Sequence, residues 1–367
     1  KKMSTQSLPI VDNKLKVKAV TYLNKKTPLT IKEIDIPVVP GEIIKPTELL
    51  VQVKATSINP VDCVFKGMNN GWFTKGDRVI GGDFAGLIVK AGSETNFKEG
   101  DRIYGDILTI KLRGSFSEYI IFEPATAVIC EKIPEGMKYE EAGSLPIASG
   151  TSYQCLNCYK GNLEGKNVLI LGAGTSVGTY AVQFAKHFFK AGNVVATCSS
   201  KSAEKITKCG ADILIDYTKG DRPKINELLE FVKVNGKFDI IVDTVRDEIV
   251  MDYFNELLQT YDNNGILTQV GGSYVIDYTN ITLYNMLPSY RVLSNKIKFK
   301  LGLSKYYIEP ILLHQCDTYG KAVETLYKQN KFIFSIDSIK DAYTQAEEAY
   351  QRVASGKAAG KVVVKWY

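Results

Sequence analysis

Apolar and polar positions follow two different patterns along this chain, and the change falls near residue 140. Before it, short runs rich in Val, Ile, Thr and Tyr are separated by Gly, Pro, Asn and Asp, which predicts many short strands. After it, apolar strands such as NVLILGAG and FDIIVDTV alternate with helical repeats such as TYAVQFAKHFFKAG. The first pattern is typical of a curled or barrel-like β domain, and the second of a parallel, doubly wound sheet.

The pattern changes again past residue 295, where short helices and strands lead to a final strand, GKVVVKWY. We therefore predict an α/β protein in which a doubly wound domain is inserted into a mainly β domain. The predicted segments are residues 1–142 for the first part of the β domain, 143–295 for the insertion and 296–367 for the return.

The amino-acid composition limits the classes of function that this chain could have. The 367 residues are 45% hydrophobic and 23% charged, a balance that suits a globular chain of two domains. The net charge of +6 is dispersed, with no basic block for a nucleic-acid groove, so we expect no nucleic-acid partner. No apolar run reaches the length of about 20 residues that a transmembrane helix needs. The seven scattered cysteines favour reduced thiols, and Cys155 and Cys158 lack the further ligands of a zinc knuckle.

The stretch VLILGAGTSVGTYAVQFAKH, residues 168–187, carries the first candidate chemistry. Its strand runs into Gly172, Gly174 and Gly178 before a helical pattern begins. Glycines there let backbone N–H groups approach a pyrophosphate, and the helix N-terminus adds partial positive charge. Glycine-rich turns are common, but one that links a strand to a helix at the head of a βαβ unit fits the dinucleotide fingerprint. We therefore predict a dinucleotide site here.

The end of the next strand favours NADPH over NADH. An NAD site usually has Asp or Glu there to hold the ribose 2′-hydroxyl, whereas this chain has TCSSKSAEK. Small hydroxyls leave room for a 2′-phosphate and lysines neutralise it. The residues concerned are Ser199, Ser200, Lys201 and Lys205. They also suit a helix cap followed by surface lysines, and the two interpretations are compatible.

Seven stretches, taken in order, carry a resemblance to a known family. They are ATSINPVDCVFKG, IGGDFAGLIVKAGSE, KEGDRIYG, GSFSEYIIF, KIPEGMKYEEAGSLPIASGTSYQCL, FDIIVDTV and GKAAGKVVVK. Together they resemble the zinc-free quinone-oxidoreductase and enoyl-reductase branch of the medium-chain dehydrogenase/reductase superfamily, over about residues 17–365. Within it, the GAGTSVG loop is most similar to a group of fungal proteins. The resemblance implies a GroES-like catalytic domain with an inserted Rossmann domain.

The resemblance also implies NADP(H) as cofactor and assigns residues to its parts. The residues on the pyrophosphate would be Gly172, Gly174, Thr175, Ser176 and Val177. The residues around the adenosine phosphate would be Ser199, Ser200, Lys201, Lys205 and Tyr217. The residues near the nicotinamide would be Thr244, Val245, Val270, Gly271 and Gly272.

The resemblance further implies that the reaction of this protein does not use zinc. Asn59 stands where zinc-dependent relatives carry a cysteine ligand, and the two histidines, His187 and His314, lie outside the first domain. A site without a metal suits hydride transfer to a quinone or an α,β-unsaturated carbonyl, because donors can stabilise the charge that develops on its oxygen. We therefore expect no metal site.

Three residues of the first domain are candidates for catalysis. Asn59 and Asp62 would line the substrate site by resemblance, although Asn59 also suits the bracing of a turn before Pro60. Some quinone reductases carry a tyrosine at the position of Val64, so this chain lacks that phenol. Tyr104 is a substitute candidate for the proton donor.

An alternative function follows from the departures at Thr175, Ser176 and Val64, because bulk in the glycine loop would push the pyrophosphate away. The chain would then be a catalytically weak NADP(H)-binding sensor or scaffold protein, associated with a stress response or with lipid droplets. The scattered cysteines favour a cytoplasmic location. The family resemblance implies a homodimer and a small-molecule quinone or enone substrate. It leaves open peripheral attachment to a membrane or lipid droplet and association with mitochondria.

Overall fold

The chain forms two compact units. The structure, a computed structural model, describes residues 8–70, 76–107, 113–271, 281 and 287–367. The first unit comprises residues up to Pro146 together with Ile336–Tyr367, and the second comprises Ile147–Ser335. An α/β unit is therefore inserted into a unit that the C-terminal residues complete.

Strands dominate the first part of the described chain, and strands alternate with helices in the second. In chain order, the strands are β1 (Ile10–Val11), β2 (Lys14–Tyr22), β3 (Thr30–Pro37), β4 (Leu49–Ile58), β5 (Arg78–Val79), β6 (Asp83–Ala91), β7 (Arg102–Asp106), β8 (Tyr119–Phe122), β9 (Ile129–Lys132), β10 (Asn167–Leu171), β11 (Asn193–Cys198), β12 (Ile213–Asp216), β13 (Ile240–Asp243), β14 (Ile266–Val270), β15 (Tyr307–Ile311), β16 (Ile336–Asp341) and β17 (Lys361–Lys365). The helices are α1 (Pro60–Met68), α2 (Tyr139–Gly143), α3 (Pro146–Asn157), α4 (Ser176–Gln183), α5 (Ser200–Lys208), α6 (Asp221–Asn235), α7 (Phe254–Leu257), α8 (Tyr290–Lys300), α9 (Tyr319–Lys328) and α10 (Ala346–Ala354).

The first unit is built on two sheets of short strands, as the sequence pattern predicts. One has the order β16-β17-β4-β6-β7-β9, with β8 paired to β4, and the other has the order β1-β2-β3, with β5 paired to β2. Strand β4 is central, and most of its residues are buried. The C-terminal strand β17 pairs antiparallel with β4, with Val363 opposite Ser57. Strands β16 and β17, from the C-terminal part of the chain, thus complete the sheet that is built on β4.

The second unit is a parallel sheet with the order β12-β11-β10-β13-β14-β15. Numbered within the unit, that order is 3-2-1-4-5-6, and the strand order reverses between β10 and β13. Alternating strands and helices produce it because each parallel crossover needs a connecting segment, usually a helix. The predicted fold class, a GroES-like unit with an inserted Rossmann unit, is confirmed.

The insertion ends later than the predicted boundary at residue 295. Strand β15 pairs in parallel with β14, from Ile266 opposite Tyr307 to Val270 opposite Ile311. Helix α9 is then held to α3 by the Tyr319 hydroxyl, which lies 2.6 Å from Ser149 Oγ. Residues 296–335 therefore belong to the α/β unit, and the return to the first unit begins at Ile336. The sequence pattern does not predict this sixth strand.

A search of the described residues for an apolar helix long enough to cross a bilayer finds none. The seven cysteines, all within that part of the chain, are free thiols. Cys155 is fully buried on α3, and burial raises the pKa of Cys158 to about 11.

The core of the α/β unit supplies a prediction of stability. Phe238 is fully buried and stacks on Phe231 with ring centroids 4.9 Å apart. Phe238→Ala should lower the free energy of unfolding by about 3–5 kcal/mol, since it removes a large side chain and leaves a cavity. Tyr290→Ala, at a side chain that is 79% exposed, should change it by less than about 0.5 kcal/mol. Urea denaturation of both variants checks this. Equal losses in the free energy of unfolding would contradict the assignment of Phe238 to the core.

Candidate functional site

The turn after β10 requires glycine at its first position. Gly172 has a φ of 77°, in the left-handed region. A Cβ atom there would lie 2.3 Å from Val245 Cγ1 and 2.7 Å from Thr244 Oγ1. The end of β10 can therefore approach the residues that follow β13 only without a side chain at this position.

A second glycine lets α4 pack on the same turn. A Cβ atom on Gly178 would lie 2.3 Å from the carbonyl oxygen of Gly172. Gly174 is less constrained, since its nearest neighbour would be Ser202 Oγ at 3.1 Å. The close approach brings the N-terminus of α4 to the edge of the sheet, beside the point where the strand order reverses.

The Thr175 side chain is used inside the turn. Its hydroxyl caps α4 by accepting a hydrogen bond from Gly178 N at 2.9 Å, and it lies 3.0 Å from Thr244 Oγ1. Thr244 Oγ1 donates in turn to the Leu171 carbonyl oxygen at 2.8 Å. Ser176 and Val177 occupy the first helical turn, where backbone N–H groups have no intrahelical acceptor. Such a turn is suited to an anion.

The predicted adenosine-phosphate residues lie at the ends of β11 and β12. Cys198 pairs with Asp216, so Ser199, the N-cap of α5, and Tyr217 follow neighbouring strands. Ser200 and Lys201 are exposed at the start of α5.

Lys205, the other predicted phosphate ligand, has a partner within the unit. Its Nζ donates to Ser335 Oγ at 2.8 Å, and burial lowers its pKa. Lys201 is therefore the better placed lysine for a phosphate.

The predicted nicotinamide residues lie at the ends of β13 and β14. The strands pair with Asp243 opposite Gln269, which brings Thr244 and Val245 to the same edge as Val270 and Gly271. Val245 is 42% exposed, and Gly271 has a φ of 76°. Gly272 lies outside the described residues.

Asp243 is a residue that the sequence interpretation missed. Its carboxylate is buried and accepts hydrogen bonds from Gln269 Nε2 at 3.0 Å and from the backbone N of Val245 at 3.1 Å. Burial raises its pKa. A buried acid at the end of the apolar strand IIVD, Ile240–Asp243, is the signal that could have found it.

The candidate catalytic residues Asn59 and Asp62 lie together at the start of α1. Asn59 is the N-cap, and its backbone N donates to Asp62 Oδ2 at 2.7 Å. Burial raises the pKa of the Asp62 carboxyl to about 7, and the nearby charge of Asp83 adds to the shift. The hydrogen bond from Asn59 acts in the opposite direction.

Asp83 organises a buried polar cluster in the first unit. Its Oδ2 atom accepts hydrogen bonds from Ser57 Oγ, Asn59 Nδ2 and Lys361 Nζ, each at 2.8 Å. Lys361 Nζ also donates to Asn59 Oδ1. These four residues are at most 4% exposed. The cluster therefore contains one buried negative charge, on Asp83, and one buried positive charge, on Lys361. The Asn59 carboxamide oxygen is occupied by its hydrogen bond from Lys361.

Lys361 was also missed by the sequence interpretation, because it lies 278 positions from Asp83. The third catalytic candidate, Tyr104, is 1% exposed on β7 and pairs with Ala85 on β6. Because Asp83 is two residues from Ala85, the strand period puts Tyr104 on the same face of the sheet as the cluster. Within the described ranges, no group of three or more His, Cys, Asp or Glu side chains is placed to hold a metal ion.

Comparison with known families agrees with both units. Residues 45–135 match the alcohol dehydrogenase GroES-like domain, and residues 176–303 match a family described as zinc-binding dehydrogenase. The chain is 30% identical to the protein YIM1-2 of Lachancea thermotolerans, over 97% of this chain and 99% of that protein. It is 30% identical to YIM1 of Saccharomyces cerevisiae strain S288c, over 95% and 97%.

Solved structures show the same fold at lower identity. The quinone oxidoreductase from Coxiella burnetii aligns with a TM-score of 0.71 and 21% identity, over 96% of this chain and all of that one. A thermostable alcohol dehydrogenase from Pyrobaculum aerophilum aligns with a TM-score of 0.66 and 19% identity, over 96% and 100%. The chain belongs to the medium-chain dehydrogenase/reductase superfamily, as predicted. Relatives that match over nearly the full length include YIM1 proteins of yeasts.

The buried cluster supplies a prediction for Lys361. Lys361→Ala should lower the free energy of unfolding by about 3–5 kcal/mol, because it leaves the buried Asp83 carboxylate without its cation. Lys361→Met combined with Asp83→Asn should recover at least half of that loss, since both charges are removed together. Lys357→Met, at an exposed lysine, is the control. Urea denaturation measures all three, and a double variant no better than Lys361→Ala would refute the pairing.

Asp62 supplies a prediction of pH dependence. Its folded pKa of about 7 lies above the unfolded value of about 3.9, so the native state holds the proton more tightly. The protonated Asp62 carboxyl therefore makes its full contribution to stability below pH of about 4, and this contribution is lost as the pH rises through about 7. The free energy of unfolding falls over that range by no more than about 1.4 kcal/mol per pH unit. Asp62→Asn should remove this slope while its side-chain oxygen can still accept from Asn59. A stability difference between the two proteins that stays constant from pH 4.5 to 7.5 would count against it.

Proposed function

We propose that this protein is an NADPH-dependent oxidoreductase that transfers hydride to a quinone or an α,β-unsaturated carbonyl without zinc. The observation that carries the proposal is the turn at Gly172. It brings the N-terminus of α4 to the edge of the parallel sheet, where the strand order reverses between β10 and β13. Open α/β sheets bind their ligands at that edge, and a helix N-terminus there suits a pyrophosphate.

The choice of NADPH is supported by the residues after β11. No acid stands between Cys198 and Lys201 to hold a ribose 2′-hydroxyl, and Lys201 is exposed on the first turn of α5. A 2′-phosphate would add negative charge there, which a lysine neutralises. The Lys205 ammonium would have to break its hydrogen bond to Ser335 Oγ before it could bind a phosphate. The preference for NADPH is therefore assigned mainly to Lys201.

The absence of zinc chemistry is supported by the contacts of Asp83 and Asn59. Lys361 already places an ammonium on the Asp83 carboxylate and on the Asn59 carboxamide oxygen. A metal ion at these side chains would have to displace a buried cation. In addition, a carboxamide is a poorer zinc ligand than thiolate or imidazole, which zinc sites use.

NADPH supplies the hydride, and the residues of the chain orient the reactants and manage the charge and the proton. Hydride addition to the β-carbon of an enone leaves negative charge on the carbonyl oxygen, and a proton must follow. Asp62 is our first candidate to move that proton, because a carboxyl that titrates near neutral pH is matched to the task. Asn59 positions Asp62 through its backbone N. Tyr104, on β7, is the second candidate.

The alternative of a weak NADP(H)-binding sensor or scaffold loses part of its support. It rests on the bulk of Thr175 and Ser176, yet the Thr175 hydroxyl bonds inside the turn rather than toward an incoming anion. The homodimer is a proposal that rests on family resemblance, and light scattering of the purified chain tests it. The cytoplasmic location is a proposal that rests on the seven free cysteines.

Binding of the two dinucleotides tests the cofactor assignment. Calorimetry should show that NADPH binds at least about tenfold more tightly than NADH, since each tenfold corresponds to about 1.4 kcal/mol of additional phosphate contacts. Lys201→Ala should weaken NADPH binding by about threefold to tenfold and leave NADH unchanged. Lys208→Ala, at a lysine of the last turn of α5, should change neither.

Turnover tests the reaction. NADPH consumption should be measured against a panel of quinones, enals, enones and simple aldehydes, with NADH in parallel. We expect oxidation with quinones or enones and none with simple aldehydes. Tight NADPH binding without turnover on the whole panel would favour the sensor alternative, and no binding of either dinucleotide would overturn the proposal.

A further inference from the structure

Helix α8 carries an apolar stripe on its exposed side. The side chains of the stripe are Tyr290, Leu293, Ile297 and Leu301, and the turn after the helix adds Leu303. Each of the five is between 46% and 79% exposed. Spacings of three and four residues put the four side chains of the stripe on one face of the helix. Single exposed apolar side chains are ordinary, whereas a contiguous group of them marks an interaction surface.

The opposite face of α8 is fixed to the α/β unit. Val292 is fully buried and belongs to the core of that unit. The Phe299 ring packs edge-to-face on Tyr261, with ring centroids 4.9 Å apart, and its centroid lies 5.0 Å from that of Tyr307 on β15. Ser289 Oγ caps the first turn by accepting from the backbone N of Val292 at 3.2 Å. The helix is therefore anchored on its inner side, and the stripe is a second apolar face.

The segment around the stripe is basic. Residues 287–308 contain one arginine and four lysines, and they contain no aspartate or glutamate. Lys298 and Lys300 are exposed and flank the stripe on opposite sides, since they are rotated from Ile297 by about +100° and about −60°. Lys305, in the turn after the helix, is also exposed. Lysine side chains at such positions cover apolar surface with their stems and keep the ammonium at its rim.

Acids near α8 offset only part of this charge. Asp252 contacts Arg291 and balances that one cation. Asp262 and Glu309 adjoin residues that contact the helix, and the five cations outnumber these three acids. Within the part of the chain that the structure describes, no ion pair is formed by Lys296, Lys298, Lys300 or Lys305.

We propose that this face of α8 docks on the surface of a lipid bilayer that contains anionic phospholipids. An apolar stripe bordered by lysines is the pattern of helices that lie in the membrane interface. The stripe would enter the boundary between headgroups and acyl chains, while the ammonium groups reach the phosphates. Tyr290 suits the same depth, because its ring is apolar and its hydroxyl is polar. The inference goes beyond the proposed function and does not depend on it.

The charge distinguishes a bilayer from a second copy of the chain as the occupant of this face. A two-fold interface brings the same patch of both copies together. Lysines at the rim of one stripe would then face lysines of the other, and like charges across an interface are costly. An anionic bilayer meets the same lysines with the opposite charge.

Vesicle flotation of the full chain tests the inference. One set of vesicles contains only phosphatidylcholine, and the other also contains about 30% phosphatidylserine. We expect binding to the anionic vesicles to be at least about tenfold tighter, since each lysine near an anionic surface contributes about fivefold. Added salt should weaken it, because it screens the charges. Failure to bind either set, or equal binding to both, would overturn the proposal.

Two double variants separate the stripe from the lysines. Ile297→Ser with Leu301→Ser should weaken binding to the anionic vesicles by at least about tenfold, because two apolar side chains no longer enter the interface. Lys298→Gln with Lys300→Gln should weaken it by about tenfold or more. Full binding by the serine variant would overturn the proposal, because charge alone would then account for the attachment.

Matched controls come from exposed residues outside α8. Val234→Ser changes an apolar side chain of α6 that is 82% exposed, and Lys357→Gln removes an exposed lysine. Both should bind the vesicles like the wild type, and all four variants should melt like the wild type. Light scattering should give the same mass for the wild type and for the serine variant. A lower mass for that variant would identify the stripe as an interface between copies and overturn the proposal.

Discussion

The nucleotide-binding unit depends on the close contact between the first turn of α4 and the end of β10. Any side chain on Gly178 would overlap the Gly172 carbonyl oxygen, and any side chain on Gly172 would overlap Val245. Glycine at both positions lets the helix begin directly at the sheet edge. The helix dipole and its unbonded N–H groups then face the place where the strand order reverses. The threonine in the loop is compatible with this arrangement because its hydroxyl caps the helix from inside the turn.

The first unit depends on a different constraint, the burial of a charged pair. An isolated carboxylate such as Asp83 would be costly at zero exposure, and Lys361 makes that burial possible. Lys361 comes from the C-terminal strand, so the pair requires the pairing of β17 with β4. The same pair binds Asn59, which in turn holds Asp62 at the start of α1. The placement of the candidate catalytic residues therefore depends on the pairing of these two strands.

Much of the fold follows from local pattern. The five strands β10 to β14 and the helices between them are predicted because apolar runs and helical spacing alternate clearly there. Strand β15 is not, because YIEPI contains Glu309 and Pro310 and has little apolar periodicity. Its place at the edge of the sheet tolerates both residues, since an edge strand needs partners on one side only. The domain boundary was misplaced for that reason.

The candidate site likewise has some features that the local sequence determines and some contacts that only the fold determines. The chain alone determines that a glycine turn links a buried strand to a helix, and that serines and lysines rather than an acid follow the next strand, because these features are local. The tertiary structure alone decides that Lys361 meets Asp83 and that Lys205 turns to Ser335. Each of these contacts joins residues far apart in the chain, and only strand pairing and packing bring such residues within bonding distance.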